Sequence, residues 1–396
     1  MLESIFVGMS GLMGYSHGLR VIANNTANLN TPGFKGSSLQ FADMFYANST
    51  LSGGDSGFNR TQLGYGLNTY STSLNFMQGE LRQTGNDLDI AVDGQGLFML
   101  KDKEGELHYT RAGQFEFNDD GVLVSRTDGA TVVGLDDTGA QTEISLVDLR
   151  TNPAQATGTI TFTGNLSSTE ASKTLSDIKV IDASGGEHTL SLVFTRGAAP
   201  NQTTWSVAAN ESGTAVGTGS ITFVNGSPTA DTAKLSITYK PAGQAEQPLV
   251  FDFSSQVTSF ASGTTSTLAM TKQDGVLRGT ISNVSFDDKG TLVVTYSNGK
   301  TANGARFALA RFDAVSDVIA TGDNQFAPTD SAAWHTGAAG ANGFGAIRAG
   351  SIEISNVDLS QEFSDLVIMQ RGYQASSQII STANDMLQEL FSMKSK

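Results

Sequence analysis

Apolar stripes at helical spacing run through both ends of the chain, and they constrain the fold more than any other feature. Over residues 5–29, apolar side chains recur at alternating spacings of three and four, a heptad pattern typical of helices that pack on helices. Over 359–391 a second stripe follows Asp358 and Ser360, two residue types that favour the N-cap position. The sequence therefore predicts helices over 1–30 and 359–396. The apolar seam positions predicted to form helix interfaces are Ile5, Leu12, Tyr15, Leu19, Ile22, Leu29, Leu359, Phe363, Leu366, Tyr373, Ile380, Leu387 and Phe391.

Glycine is unusually frequent in the first of these helices, at positions 8, 11, 14 and 18. Each glycine costs a helix interior about 1 kcal/mol relative to alanine, so the isolated helix is expected to fray. Glycine also lets two helix backbones approach closely. Two hypotheses remain open: a poor surface helix packed on its own domain, or two terminal helices that pair with each other and with neighbouring copies.

The chain between the helices has the alternation and turn spacing of β-structure. The clearest alternating runs lie between Thr159 and Phe253, with Gly, Asn, Ser and Pro between them, and are typical of an antiparallel sandwich or barrel. The predicted fold class is mainly β with terminal α-helices, in a nested arrangement. The predicted parts are a helical domain from 1–30 and 359–396, a connecting segment at 31–75, a split β domain from 76–145 and 273–358, and an inserted outer β domain at 146–272.

Charge and composition exclude several classes of function. The chain has 24 Lys and Arg against 39 Asp and Glu, a net charge of −15, so neither a nucleic acid nor an anionic membrane is an expected partner. Cysteine is absent, which excludes disulfides, zinc–thiolate sites, iron–sulfur clusters and thiol nucleophiles. No apolar run is long enough to span a bilayer, and the N-terminus lacks the basic and apolar regions of a cleaved signal peptide.

No arrangement of residues predicts catalysis, a metal site or a cofactor. The four histidines, His17, His108, His188 and His335, are scattered, and none stands at ligand spacing from another histidine or a carboxylate. The Asp119–Gly121 and Asp136–Asp137 strings lack the full acidic series of a calcium loop, so hairpin turns are predicted there. The sequence therefore predicts a protein that is not an enzyme.

Several strings outside 146–272 share an order and spacing that carry a family resemblance. They are NNTANLNTPGFK (Asn24–Lys35), FADMF (Phe41–Phe45), NFMQGELRQTGNDLDIAVDGQGLFML (Asn75–Leu100), YTRAGQF (Tyr109–Phe115), QDG (Gln273–Gly275), SNGKT (Ser297–Thr301) and GSIEISNVDLSQEFSDLVIMQRGYQA (Gly350–Ala375). Together they resemble the flagellar rod and hook axial proteins. The residues that match the family motifs are Asn24, Asn25, Asn28, Pro32, Gly33, Phe34, Lys35, Asn356, Val357, Asp358, Gln370, Arg371 and Tyr373.

Within that family, the large insertion and the SNGKT and SNVDL strings are similar to hook members rather than rod members. One departure is Ser376, where the family usually has Asn. From the residues alone, Asn24, Asn25 and Asn28 are predicted to end the first helix and bond its free carbonyls, since asparagine bonds backbone groups readily.

The resemblance implies a structural subunit of the flagellar hook, a bendable helical tube that transmits motor torque from rod to filament. It implies other copies of the chain, the distal rod, a hook cap and hook–filament junction proteins as partners. It also implies extracellular location in the hook and basal body after type III export, without a cleaved signal peptide. The alternatives are a distal rod subunit of the same family and a secreted β-domain adhesin or enzyme.

Overall fold

The computed structural model describes residues 2–50, 60–198, 203–330 and 334–394. The chain is mainly β with one long helix at each end, so the predicted fold class is confirmed. It divides into two compact units, each discontinuous in sequence. Unit 1 comprises Met1–Val147, Val284–Val293 and Asn303–Lys396, and unit 2 comprises Asp148–Asn283 and Val294–Ala302.

The two terminal helices form where the apolar periodicity predicts them. Helix α1 spans Leu2–Ala27 and helix α2 spans Leu359–Lys394. Asp358 begins α2, because its Oδ1 accepts hydrogen bonds from the backbone N–H of Ser360 at 2.8 Å and of Gln361 at 3.3 Å. Neither helix, over the residues described, is long and apolar enough to cross a membrane.

Unit 1 contains most of the strands. Those before the insertion are β1 (Ser37–Asp43), β2 (Tyr46–Thr50), β3 (Arg60–Gly64), β4 (Leu67–Leu74), β5 (Leu81–Gln83), β6 (Ile90–Asp93), β7 (Leu97–Lys101), β8 (Leu107–Thr110), β9 (Phe115–Phe117), β10 (Leu123–Ser125), β11 (Thr131–Leu135) and β12 (Gln141–Glu143). The turns at Asp119–Gly121 and Asp136–Asp137 are confirmed, with Gly121 and Gly139 at positive φ.

Unit 2 is built mainly from Asp148–Asn283. A short 3₁₀ helix at Val147–Leu149 spans its first boundary. Its strands are β13 (Thr151–Asn152), β14 (Thr159–Asn165), β15 (Ser172–Ile181), β16 (Glu187–Arg196), β17 (Thr204–Glu211), β18 (Thr214–Val224), β19 (Ser227–Pro228), β20 (Lys234–Tyr239), β21 (Gln247–Thr258) and β22 (Ala269–Gln273). Apart from β13, they form a four-stranded sheet, β20-β21-β14-β22, and a five-stranded sheet, β15-β16-β17-β18-β19. Among the described residues of these two sheets, β14 and β21 pair in parallel and the other pairs are antiparallel.

The chain then returns to unit 1, and the unit boundaries fall within the first three of the remaining strands. They are β23 (Gly279–Phe286), β24 (Thr291–Tyr296), β25 (Thr301–Phe312), β26 (Val318–Gly322), β27 (Gln325–Pro328), β28 (Trp334–Ala338), β29 (Ala346–Ala349) and β30 (Ser351–Glu353), with a 3₁₀ helix at Val315–Asp317. In unit 1 the main antiparallel sheet runs in the order β25-β11-β7-β8-β27-β26. Its aromatic centre is Phe98, Phe115 and Phe307, whose rings are 5.1–5.7 Å apart.

The core of unit 2 confirms the alternation seen in the sequence. Both sheets contribute inward side chains to one buried cluster, because alternate residues of a strand point to the same face. Leu190, Leu192 and Phe194 of β16 and Leu249, Phe251 and Phe253 of β21 are fully buried there, together with Trp205.

One histidine in unit 2 is clamped between two carboxylates. His188 Nε2 lies 3.0 Å from Asp182 Oδ2, and its Nδ1 lies 3.0 Å from Glu211 Oε1. Only a doubly protonated imidazole can donate both bonds. Burial alone would lower the pKa of His188, but the bonds to Asp182 and Glu211 outweigh burial and raise it. The sequence pattern does not predict this pairing, because the β16–β17 register brings Glu211 to His188.

We expect the stability of this sheet to fall as pH rises above neutral. The pKa of His188 is raised on folding, so its stabilisation is complete below the unfolded value of about 6.5 and disappears as pH rises through the folded value. Amide hydrogen exchange of residues 187–211 should quicken from pH 6 to pH 9, after correction for intrinsic rates. His188→Gln should flatten that dependence, whereas His335→Gln, at an exposed pair with Asp313 in unit 1, should not. An unchanged profile in His188→Gln would refute the clamp.

Candidate assembly surface

Helices α1 and α2 pack against each other as an antiparallel pair with very close backbones. A Cβ added to Gly8 would lie 2.8 Å from Ile380 Cγ1, and one added to Gly18 would lie 2.9 Å from Met369 Sδ. Rising numbers on α1 therefore meet falling numbers on α2. This close approach confirms the helix-pairing hypothesis within a single chain, and it explains Gly8, Gly11 and Gly18. Gly14 instead faces Leu67 and Phe41.

Ser376 occupies the closest part of this helix contact. A Cβ at Gly11 would lie 2.5 Å from Ser376 Oγ, and Ser376 is itself buried. The motif resemblance implies Asn at this position, and Ser376 is smaller where the opposite helix leaves little space.

The face of α1 that meets α2 is not centred on the predicted leucine seam. Gly8, Gly11, Gly18, Ile22 and Asn25 are the buried positions along it. The seam side chains of Ile5, Leu12, Tyr15, Leu19 and Leu29 are only partly buried. The glycine side of α1 faces α2, because a side without side chains permits the short separation between the two backbones. On α2, Leu366, Ile380 and Leu387 are partly buried, whereas Leu359, Phe363, Tyr373 and Phe391 are exposed.

Both helices also leave large apolar side chains in contact with solvent. Phe6 is 63 % exposed, Ile368 is 61 % exposed and Phe391 is 70 % exposed. Large apolar side chains exposed in such number mark interaction surfaces in soluble proteins. We call these residues the exposed helix face, and its members are Phe6, Met9, Met13, Phe363, Val367, Ile368, Tyr373, Ile379, Met386, Leu390, Phe391 and Met393. Most of these residues lie outside the predicted seam. The high apolar content of both helices is the sequence feature that could have indicated them.

Asn25 joins the end of α1 to two other segments. Its Oδ1 accepts the backbone N–H of Ser37 at 3.0 Å, and its Nδ2 donates to the Ser37 carbonyl and to Glu362 Oε1, both at 2.8 Å. Burial, with Asp365 nearby, raises the pKa of Glu362, although the bond from Asn25 opposes this. The predicted carbonyl-capping role is therefore wrong for Asn25, whose side chain is engaged elsewhere.

Asn28 behaves as predicted, whereas the Asn24 side chain bonds no helix carbonyl among the residues described. Asn28 Nδ2 donates to the Asn24 carbonyl at 2.9 Å, at the end of α1. Helix α1 ends at Ala27 and the chain turns before Pro32, because proline cannot continue the helical hydrogen bonding. Pro32 is in turn fixed by Asn324, whose Nδ2 donates to the Pro32 carbonyl at 2.7 Å.

Lys35, Glu353 and Arg111 form a buried ion cluster. Lys35 Nζ lies 2.5 Å from Glu353 Oε1, and Arg111 Nε lies 3.1 Å from Glu353 Oε2, near enough for an ion pair though not aligned as a hydrogen bond. All three side chains are at most 4 % exposed. Burial lowers the pKa of Lys35 and of Arg111, and the charge of Glu353 acts against it.

Backbone groups complete this cluster. Lys35 Nζ donates to the Met77 carbonyl at 2.8 Å, and Glu353 Oε1 also accepts the backbone N–H of Gly79 at 2.8 Å. The two terminal nitrogens of Arg111 donate to the carbonyls of Gly94 and Gly96. The cluster therefore fixes three segments that lie far apart in sequence.

Asn356 and Gly33 lie beside the cluster. Asn356 Oδ1 accepts the Gly36 N–H at 2.9 Å, and its Nδ2 donates to the carbonyls of Asn75 and Met77. Gly33 has φ +72 and packs against the backbone of Arg111 and Ala112, so a side chain there has no space. We use the name polar junction for Asn25, Lys35, Arg111, Glu353 and Asn356. The junction holds the C-terminal end of α1 and the N-terminal end of α2, which we call their inner ends.

The remaining motif residues are less engaged. Phe34 and Val357 are partly buried next to the junction, and Gln370 and Arg371 are exposed on α2. Arg371 bonds only Gln374 of its own helix among the residues described. The sequence pattern does not predict the roles of Arg111, Glu353 and Glu362. Each of them lies inside a quoted motif as a charged residue near apolar ones.

Three histidine–carboxylate contacts also depart from the sequence prediction of isolated histidines. Besides the His188 clamp, His108 lies 3.2 Å from Asp102 and His335 lies 3.1 Å from Asp313. Asp102, Glu106 and His108 bring one ligand atom each within 4.8 Å, on the partly exposed β7–β8 hairpin. We therefore assign no metal site to this hairpin.

Sequence comparisons identify the family. Profiles of known families match residues 5–35 (flagella basal body rod protein), 91–170 (flagellar hook protein FlgE/F/G D1 domain) and 348–393 (flagellar basal body rod FlgEFG protein C-terminal). The flagellar hook protein FlgE of Borreliella burgdorferi is 30 % identical over 446 aligned positions that cover 100 % of both chains. The chain belongs to the FlgE family of flagellar hook proteins.

Other FlgE proteins are similar to the chain over all or nearly all of its length. Those of Treponema pallidum and Escherichia coli are each 28 % identical, covering 100 % and 98 % of both chains respectively. A crystal structure of Helicobacter pylori flagellar hook protein FlgE2 aligns with 69 % of this chain and 99 % of that one at 12 % identity, with a TM-score of 0.45.

FlgE membership confirms the main predictions. The chain is a structural, non-enzymatic subunit of the flagellar hook, as the motif resemblance implied. The hook relatives match over their whole length, so the hook-type prediction holds against the adhesin or enzyme alternative. The roles of the individual seam and motif residues in contacts between copies stay predictions.

Proposed function

We propose that many copies of this chain polymerise into the hook tube through the exposed helix face of α1 and α2. The observation that carries this proposal is the set of large apolar side chains that the helix pair leaves uncovered in a single copy. Burial of each such side chain contributes about 1.5–3 kcal/mol, so a face of this size favours association strongly. The predicted seam residues that are exposed, such as Phe363 and Phe391, belong to it.

The geometry of a tube sets the kind of contact. A helical assembly needs heterologous contacts, in which one patch meets a different patch on the next copy and the arrangement does not close. The α1–α2 pairs would line the inside of the tube, and the polar junction would hold each pair at a fixed place on unit 1. The segment 146–272 would form an outer domain that bends the tube, within the four-part organisation predicted from the sequence.

Finer aspects of the function rest on the family resemblance. We propose that the tube is a bendable joint that carries torque from rod to filament. Its ends would contact the distal rod, a hook cap during growth and hook–filament junction proteins. Export through the flagellar type III apparatus, without a cleaved signal peptide, would bring the chain outside the cell.

The test combines electron microscopy with limited proteolysis. We expect the purified chain to form tubes at high protein concentration. In dilute solution chymotrypsin should cut rapidly at Phe363, Tyr373 and Phe391, because a glycine-weakened helix pair frays without neighbours. In tubes the same bonds should be protected by at least tenfold.

Unit 2 supplies the internal control. Trp205 and Tyr239 are fully buried in its core, so bonds beside them should resist cleavage in both states. Absence of tubes at every concentration would contradict the proposed function. Equal cleavage of the helices in monomer and tube would contradict the role of the exposed helix face alone.

A further inference from the structure

An unpaired arginine faces a cavity on unit 1. Arg311 lies on β25 and is partly buried, and its guanidinium carbon sits 5.7 Å from the centre of the Phe344 ring. Its Nε is buried and has no hydrogen-bond partner. Over the described ranges, the Arg311 side chain forms no hydrogen bond and no ion pair, and the nearest acid along the strand, Asp313, contacts His335 instead. A cation in this position is normally matched by a carboxylate.

The cavity beside Arg311 is of a size and chemistry that fit one side chain. Its volume is about 380 Å³, and Phe76, Phe312 and Leu97 supply an apolar wall. Phe76 and Phe312 stack edge to face at 4.6 Å. Arg111, the other cation of the lining, is already committed to Glu353 and to two backbone carbonyls. Arg311 is therefore the lining cation that is free to bind a guest.

We propose that this cavity, which we call the Arg311 pocket, receives a carboxylate side chain from a neighbouring copy of the chain. The inference rests on the proposed polymerisation. It also rests on charge complementarity, because each copy carries a net charge of −15 and offers far more carboxylates than cations. In a polymer every copy presents both the pocket and the guest, as a heterologous contact requires.

Three turns of unit 1 offer suitable carboxylates. In each, the first residue closes the turn: Asn118 bonds the Val122 N–H, Asp136 the Ala140 N–H and Asp287 the Thr291 N–H. The residue that follows carries an exposed carboxylate with no hydrogen bond or ion pair within the described part of the chain. These residues are Asp119, Asp137 and Asp288. The guest is assigned to one of these turns.

The test compares stability with assembly in the same variants. Arg311→Met removes a buried donor that has no partner in the monomer, so the melting temperature should stay the same or rise. The critical concentration for tube formation should rise roughly tenfold, the effect of losing one charge-assisted bond per contact. Arg311→Lys, which keeps the charge without the planar fork, should lie between the two.

A control and a double-mutant cycle make the result decisive. Arg348→Met, which removes a cation already paired with Asp93, should leave the critical concentration unchanged. One of Asp119→Asn, Asp137→Asn or Asp288→Asn should reproduce the Arg311→Met effect and add nothing to it in the double variant.

Three outcomes would overturn the proposal: Arg311→Met tubes at the wild-type critical concentration, an Arg311→Met monomer that melts at a lower temperature, or no coupling with any of the three turns. Each is distinct from failure of the proposed function, in which the wild-type chain itself would form no tubes.

Discussion

Glu353→Gln is expected to lower the free energy of unfolding of unit 1 by about 3–5 kcal/mol, the usual cost of removing one partner from a buried ion pair. The variant keeps the size of the side chain and removes its charge. Lys35 and Arg111 are then left buried without a counter-charge, and burial already lowers the pKa of both. Urea unfolding followed by Trp334 fluorescence, in a Trp205→Phe background, measures the change.

An exposed pair on the same unit provides the comparison. Asp93 and Arg348 form an ion pair at 3.0 Å, but their side chains are 40 % and 62 % exposed. Asp93→Asn should therefore cost less than about 1 kcal/mol, since solvent screens both charges. Equal losses in the two variants would show that Glu353 has no special role in the polar junction.

Glu353→Gln is also expected to disturb helices α1 and α2. Glu353 Oε1 also accepts the Gly79 N–H, and the Glu353 carbonyl accepts the Gly33 N–H at 2.8 Å. These bonds fix the chain just before α2 and just after α1. Loss of the junction would free the inner ends of both helices, so hydrogen exchange near Ser37 and Asp358 should increase more than exchange in unit 2.

The polar junction shows what the sequence could not predict. Lys35 and Glu353 are 318 residues apart, and no local pattern links two positions at that separation. The motif strings identified both neighbourhoods but not which charge in one meets which charge in the other. His108 and Asp102 were missed for a related reason: a hairpin brings together residues six apart that neither helical nor strand spacing would pair.

The helices show a partial success. The spacing of apolar residues alone predicted α1 and α2 to within a few residues of their bounds, because an apolar stripe at 3.6-residue spacing is the strongest local signal of a helix. The face that meets the partner could not be read from hydrophobicity, since glycine carries no apolar side chain. Gly11 and Gly18 lie at the contact, while Leu12 and Leu19 lie beside it.

Strand alternation in unit 2 predicted its core closely, because each strand has one buried face. The alternation of Leu88, Ile90 and Val92 predicts β6 in unit 1 as a core strand with one buried face, but Ile90, Ala91 and Val92 are all buried. A strand covered on both faces has the composition of a buried helix segment, and only its length and flanking glycines distinguish the two.

Ile368→Glu is expected to abolish tube formation while leaving the isolated chain intact. Ile368 is 61 % exposed on α2 and belongs to the exposed helix face. In one copy the new carboxylate remains in water and costs little. In the proposed tube it would enter an apolar contact between copies, where an unpaired charge costs several kcal/mol at each of many equivalent contacts. Sedimentation and electron microscopy measure assembly, and circular dichroism with urea unfolding measures the monomer.

Gln374→Glu is the matched control for this prediction, because it places the same side chain at an exposed polar position of the same helix. We expect Gln374→Glu to form tubes at a critical concentration within about threefold of wild type, since an exposed polar site tolerates charge with little free-energy change. Both variants add one negative charge, so a general repulsion between copies would weaken them equally. Tubes from Ile368→Glu at the wild-type concentration would exclude its side chain from the contacts between copies, whereas an equal loss in both variants would attribute the effect to net charge rather than to apolar burial.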